Sequence, residues 1–208
     1  MTGDRLAAPG DDVEDRSAAT RAAQAARAAI RSGELTGPTS GLAPGVEQGN
    51  LVILPADWAE DFAAYCAANP RPCPLLARGR PGDPALPELG TDIDLRTDLP
   101  RYRHFSVTDG EVTWTDTRTL ADVWRADGPD RDVAILLGCS FGFEDALIDA
   151  GLVPRQIEEG VNVPMYRTDL ATRPAGRFSG PLVVSMRAMP AADAIEAITI
   201  CDRFPLAH

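Results

Sequence analysis

VAILLGCSFGFEDALIDA, residues 133–150, is the stretch on which the fold turns. Val133–Leu137 is an uninterrupted apolar run, the pattern of a strand buried on both faces. Gly138, Cys139 and Ser140 form a tight turn, and Phe143–Ala150 reads as a helix that Gly151 caps. Strand, turn and helix in that order indicate an α/β unit.

Working outward, the same grammar recurs. Leu51–Leu54 is a second short apolar strand, followed from Pro55 by a helix with Trp58, Phe62, Tyr65 and Cys66 on one face and Asn69-Pro70 as its stop. Leu182–Met186 reads as a third strand, leading into a helix over Pro190–Arg203 with Ile195 and Ile198 turned inward. Arg103–Val107 and Glu111–Thr115 flank Thr108-Asp109-Gly110, the signature of an antiparallel hairpin. Leu120, Val123 and Trp124 suggest a helical stripe stopped at Gly128-Pro129, and Ser17–Ser32 a helix ended by Gly33. Gly and Pro punctuate residues 33–50, 70–100 and 157–181, which read as shaped loops and extended connections. The expected fold is α/β: a mixed sheet of buried strands alternating with helices, plus the hairpin. Residues 1–16 are expected to form a loose tail, and 17–208 one domain with room for two lobes dividing near 100–130.

Composition narrows the chemistry. A net charge of −11 argues against nucleic-acid and anionic-membrane partners, which call for cationic surface. The sequence shows no leader-like apolar segment and no run approaching the roughly 18 to 20 residues that span a bilayer, so a cytoplasmic protein is expected. All 20 basic residues are arginine, which excludes a lysine Schiff base and a Walker lysine. Cys66, Cys73, Cys139 and Cys201 form no C-x-x-C pair and the histidines are only His104 and His208, so no zinc site of usual spacing is expected. A divalent metal held by acidic loops stays open, as does a homo-oligomer.

Gly138-Cys139-Ser140-Phe141-Gly142 matches G-x-S-x-G, the nucleophile elbow of serine hydrolases. Those enzymes place an acid and then a histidine after the serine, and only His208 follows Ser140. The hydrolase reading is therefore a distant alternative. The turn is better suited to hold a carboxylate or oxyanion on the backbone N–H groups of Gly138, Cys139 and Ser140.

Three separated motifs carry a family likeness. GELTGPTSGLAPGVEQGNLVILP with NPRPCPLL, GCSFGFEDAL, and NVPMYRT with RPAGRFSGPLVVSMR resemble the hydro-lyase family that includes the mitochondrial D-glutamate cyclase domain of animals. The likeness runs from about Arg27 to His208. It implies an α/β fold and loss of water from D-glutamate to give 5-oxo-D-proline. Family members usually have serine where Gly142 stands, and they run on past the residue matching His208.

Such a reaction needs a base, an acid and an anion clamp. Arginine suits the clamp, and the motifs offer Arg167, Arg173 and Arg187, of which Arg167 and Arg173 are the leading candidates. Glu158, Glu159, Glu144 and Cys139 are the candidate proton movers, with Ser140, Gly138, Gln48, Asn50, Thr39 and Asn162 as further substrate contacts. The leading expectation is a hydro-lyase acting on a small amino- or hydroxy-acid without an organic cofactor. The alternative is an inactive small-carboxylate binding or regulatory protein.

Overall fold

The computed structural model describes residues 11–39, 41–43 and 45–207, with side chains from Ser17 onward. The first ten residues of the expected tail lie outside the described residues. The chain forms two compact units, one made of residues 1–46 and 94–123, the other of 47–93 and 124–208.

The first unit holds helix α1 (Asp11–Ser32), which starts ahead of Ser17 and ends at Gly33 with φ +82°. Its buried Ile30 lies in the same unit as buried Leu95, Tyr102 and Leu120. Arg31 grips the buried Asp98 bidentately, at 2.6 and 2.9 Å, and Asp98 also accepts the Asp94 N–H. Tyr102, whose hydroxyl accepts the Leu99 N–H at 3.0 Å, has its phenol pKa pushed well up by burial.

The expected hairpin is the paired strands Tyr102–Thr108 and Glu111–Thr117. Asp109 and Gly110 both have positive φ, the geometry of the tight turn that matches strand twist. Phe105 opposite Trp114 and Val107 opposite Val112 form an exposed apolar ladder, with the Arg103 guanidinium 4.0 Å from the Trp114 ring. The stripe at Leu120, Val123 and Trp124 forms turns rather than a helix. Leu120 donates its N–H to Arg96 and Thr119 caps Ala121, so these backbone groups find partners that compete with helical ones.

The second unit is built on a three-stranded sheet. Strand β1 (Gly49–Pro55) runs into helix α2 (Ala56–Ala68) and on to strand β2 (Leu75–Arg78). Strand β5 (Asp132–Gly138), counted after the hairpin strands β3 and β4, lies between β1 and β2. Its apolar run is buried at Val133, Ala134 and Ile135 and half-buried at Leu136 and Leu137, and Val133 and Ile135 pack with Ala59 of α2. The α/β class is as expected, but the sheet corrects one detail. Each pairing in it is antiparallel, because β5 is inserted between β1 and β2, which run parallel to each other without touching. Strand β2 also interrupts the connection expected over 70–100.

After β5 come a single 3-10 turn, Ser140–Phe143, helix α3 (Glu144–Asp149) and the one-turn helix α4 (Arg155–Glu158). Strands β6 (Met165–Ala171) and β7 (Pro181–Ser185) then pair antiparallel, so the expected loop over 157–181 carries a strand. Phe178, between them, joins Trp58, Phe62 and Tyr65 of α2 in an aromatic cluster. Helix α5 (Ala191–Cys201) corrects the expectation for its face: Ile195 and Ile198 are 69% and 70% exposed, while Ala197 and Ile200 pack on Leu147. Both faces of α5 are apolar in sequence, so periodicity could not choose between them. Among the described residues, no helix is long and apolar enough to cross a membrane.

Candidate functional site

The turn after β5 is shaped by what packs against it. A Cβ on Gly138 would fall 1.6 Å from the Leu206 carbonyl oxygen, and one on Gly142 would fall 2.9 Å from the Ala207 Cβ. Both glycines of the pentapeptide thus make room for the segment at 206–207, which accounts for their spacing without a nucleophile. Cys139 is extended (φ −131°, ψ 147°), and Ser140 lacks the positive φ of a strained elbow. The Gly138 N–H is already donated to Pro74 O at 2.8 Å, so the expected three-amide cradle is not free as a unit.

What the turn does instead is deliver two side chains to one buried cation. Arg187, just past β7, donates through Nη2 to the Ser140 Oγ at 3.2 Å and to Glu144 Oε1, and through Nη1 to the Ser185 Oγ at 3.0 Å. Glu144, in the first turn of α3, also accepts from Gln156 Nε2 at 3.2 Å. The side chains of Arg187 and Glu144 are only 10% and 7% exposed. The Arg187 Cζ lies 5.1 Å from the Phe143 ring, and its Nε is buried with no hydrogen-bond partner among the described residues. A buried N–H without an acceptor costs free energy, and the three bonds above leave two of the five guanidinium N–H groups, that of Nε and one of Nη1, without an acceptor among the described residues.

Arg187 lines a cavity of about 680 Å³. Its apolar wall includes Phe143, Leu147, Met189, Ala197, Ile198 and Leu206, and its polar lining is Arg71, Ser185, Arg187, Cys201 and Asp202. A mostly apolar pocket with a few convergent polar groups is the usual form of a small-molecule site. Burial pushes the Cys201 thiol above its ordinary value, with the Arg187 charge pulling the other way. Burial also pushes the Cys66 thiol up to about 11 and raises that of Cys73.

The other candidates are dispersed. Glu158, at the end of α4, and Glu159, its C-cap, are both exposed, and Glu159 pairs with Arg155 at 2.7 Å; they border a different cleft of about 290 Å³. Arg167 is exposed on β6 opposite Val183. Arg173 is exposed at a third cleft of about 420 Å³, its backbone pinned by the Asn69 side chain. Cys139 is buried, Gln48 half-buried and Asn50 exposed on β1. Asn162 is exposed and caps the Val163 N–H. Thr39 is exposed in the first unit, as is the hairpin that carries the half-buried His104; His208 lies outside the described residues.

Comparison with known proteins decides the family. A protein named "Putative hydro-lyase" from Bordetella petrii is 57% identical over 183 residues, covering 88% of this chain and 67% of its own length. The chain belongs to this hydro-lyase family. A family member from Xanthobacter autotrophicus is 50% identical over 194 residues (93% of this chain, 68% of its own), and one from a Jannaschia species 52% over 191 residues (91% and 68%). The chain also matches the D-glutamate cyclase family model over residues 133–208. It spans about two thirds of the length of the curated relatives it matches, 64% to 68%.

The matched segment includes Ser140, Glu144, Ser185, Arg187 and Asp202. Of the residues singled out from sequence, Ser140 and Glu144 come together on Arg187, the arginine ranked behind Arg167 and Arg173. Ser185 and Asp202 were missed, and so was Arg71 in NPRPCP. A signal for Arg71 was available: an arginine between two prolines sits on a backbone stiffened for display.

Proposed function

We propose that this chain takes part in the loss of water from D-glutamate to give 5-oxo-D-proline, as a cytoplasmic enzyme without an organic cofactor, and that the cavity beside Arg187 is where the acid binds. The observation that carries the reading is a buried guanidinium, held by Glu144 and Ser140, among the residues that line that cavity, in a chain of the hydro-lyase family. In the reaction the amine nitrogen bonds to the γ-carboxyl carbon, one C–O bond breaks, and the two protons shed by the ammonium leave with that oxygen as water. The Arg187 guanidinium supplies positive charge to the oxyanion that develops on the γ-carboxyl. Glu144 and Ser140 hold the guanidinium in place. Asp202, the carboxylate among the cavity's described lining residues, is placed to take a proton from the ammonium.

The test is to incubate the chain with D-glutamate, L-glutamate and 5-oxo-D-proline and follow both acids by chiral chromatography. Conversion of the D-form alone, lost in Arg187→Met and kept in Arg167→Ala, is the expected result. No conversion of any acid would overturn the reaction. A second reading, a carboxylate-binding protein without turnover, is favoured by the engagement of Arg187 with Glu144, which ties up much of its charge in structure. In that case D-glutamate raises the melting temperature and is recovered unchanged.

A further inference from the structure

The cavity's second arginine has no described function in holding the fold together. Arg71 lines the same 680 Å³ space as Arg187, and among the described residues it has no hydrogen bond, ion pair or ring contact. Arg78, Arg96, Arg125, Arg155 and Arg177 each hold a carboxylate, whereas Arg71 has none among the described residues and, unlike the exposed Arg131 and Arg167, borders this cavity. Its backbone is nonetheless well held. Pro70 and Pro72 flank it, and the buried Asn69 beside it donates to the carbonyls of Tyr65 and Arg173 and accepts the Cys73 N–H on its own. The stiff backbone fixes where the guanidinium is displayed, while the side chain itself gives up rotamer freedom on binding a carboxylate.

We propose that Arg71 is the second carboxylate anchor of this cavity and the residue that selects a dicarboxylate over a monocarboxylate; the substrate class rests on the reading given above. Arg187 shares its charge with Glu144, which leaves it able to match one carboxylate at most. A second carboxylate meets Asp202 as a like charge, so it needs a cation elsewhere on the wall, and Arg71 is that cation. An amino-dicarboxylate then finds two guanidiniums for its carboxylates and Asp202 for its ammonium group.

The experiment titrates the chain with glutarate and with pentanoate by calorimetry, in the wild type, Arg71→Met, Arg173→Met and Arg131→Met, and follows D-glutamate turnover in parallel. Arg131→Met removes the same charge from an exposed site, and Arg173→Met tests the neighbouring 420 Å³ cleft, which Arg71 also borders. Arg71→Met is expected to weaken glutarate by about 10- to 100-fold, the loss of one charge-assisted pair, and to leave pentanoate unchanged. The other two variants are expected to bind both acids as the wild type does. Unchanged glutarate binding in Arg71→Met overturns the proposal, as does an equal loss in Arg173→Met or a wild type that binds glutarate no tighter than pentanoate. The two readings separate cleanly. A selective glutarate defect without D-glutamate conversion keeps the anchor and removes the reaction, whereas conversion with an unaltered KM in Arg71→Met keeps the reaction and removes the anchor.

Discussion

Two short helices of the second unit each carry a glutamate paired to an arginine, and they could hardly be used more differently. At α4, Arg155 and the C-cap residue Glu159 sit one turn apart with side chains 74% and 51% exposed. At α3, Glu144 meets Arg187 from 43 residues away, with both side chains nearly out of water. The first pair is a local decoration of a helix surface, worth little because water solvates both charges well. The second ties the turn after β5 to the end of β7 and draws Ser140 and Gln156 into one network. The difference teaches that an ion pair gains structural weight from desolvation and from the sequence distance it spans, not from its geometry.

The sharpest way to break this contrast is to remove one member of the buried pair. Arg187→Met or Glu144→Gln leaves a desolvated charge without its partner and is expected to cost about 3–5 kcal/mol, measured by urea unfolding. Glu144→Gln combined with Arg187→Met should recover much of that loss, because no charge is then left buried alone. A double variant no more stable than the worse single one would remove the desolvation argument.

Gly138→Ala comes next. Its methyl would strike the Leu206 carbonyl, and overpacking of this kind costs about 1–3 kcal/mol. Gly160→Ala, where an added Cβ meets nothing within 4 Å, isolates the effect of positive φ alone and should cost less, about 1 kcal/mol.

A smaller effect depends on pH. The Cys66 thiol is pushed from 9.0 up to about 11, chiefly by burial and then by neighbouring Cys73. Because the folded value lies above the unfolded one, this contribution is fully present below pH 9 and is lost as the pH rises toward about 11. Thermal melts of the wild type and Cys66→Ala over that window should converge with rising pH. Parallel curves would show that Cys66 ionises as freely in the folded chain as in the unfolded one.

The smallest change is expected at the exposed pair. Glu159→Gln should shift stability by no more than about 0.5 kcal/mol, and less at high salt. A loss approaching that of Glu144→Gln would erase the distinction between the two regions.

Much of the fold was legible because its signals are local. The apolar run of β5, the Asp109-Gly110 turn, the Pro55 start and Asn69 stop of α2, and the Gly33 end of α1 are each set by a few neighbouring residues. Strand β2 was hidden in a proline-rich stretch, since its four residues become a strand only by pairing with β5. Strand β6 was hidden likewise, its pairing with β7 broken by a register shift after Arg167. The candidate site was legible in part. The sequence singled out Ser140 and Glu144 individually, but attached them to an elbow cradle and a pair of loop glutamates that do not assemble.

By itself, then, the sequence determined the α/β class, the order of its principal elements, the absence of lysine chemistry and the motifs that mark the family. Those are properties of composition, periodicity and residues close in the chain. Only the tertiary structure decided which apolar face of α5 is buried, which arginine of the motifs loses its water, and that two glycines spaced like a nucleophile elbow instead admit the segment at 206–207. The physical reason is the same in each case: burial and close approach are set by what arrives from elsewhere in the chain, and a residue's immediate neighbours carry no record of it.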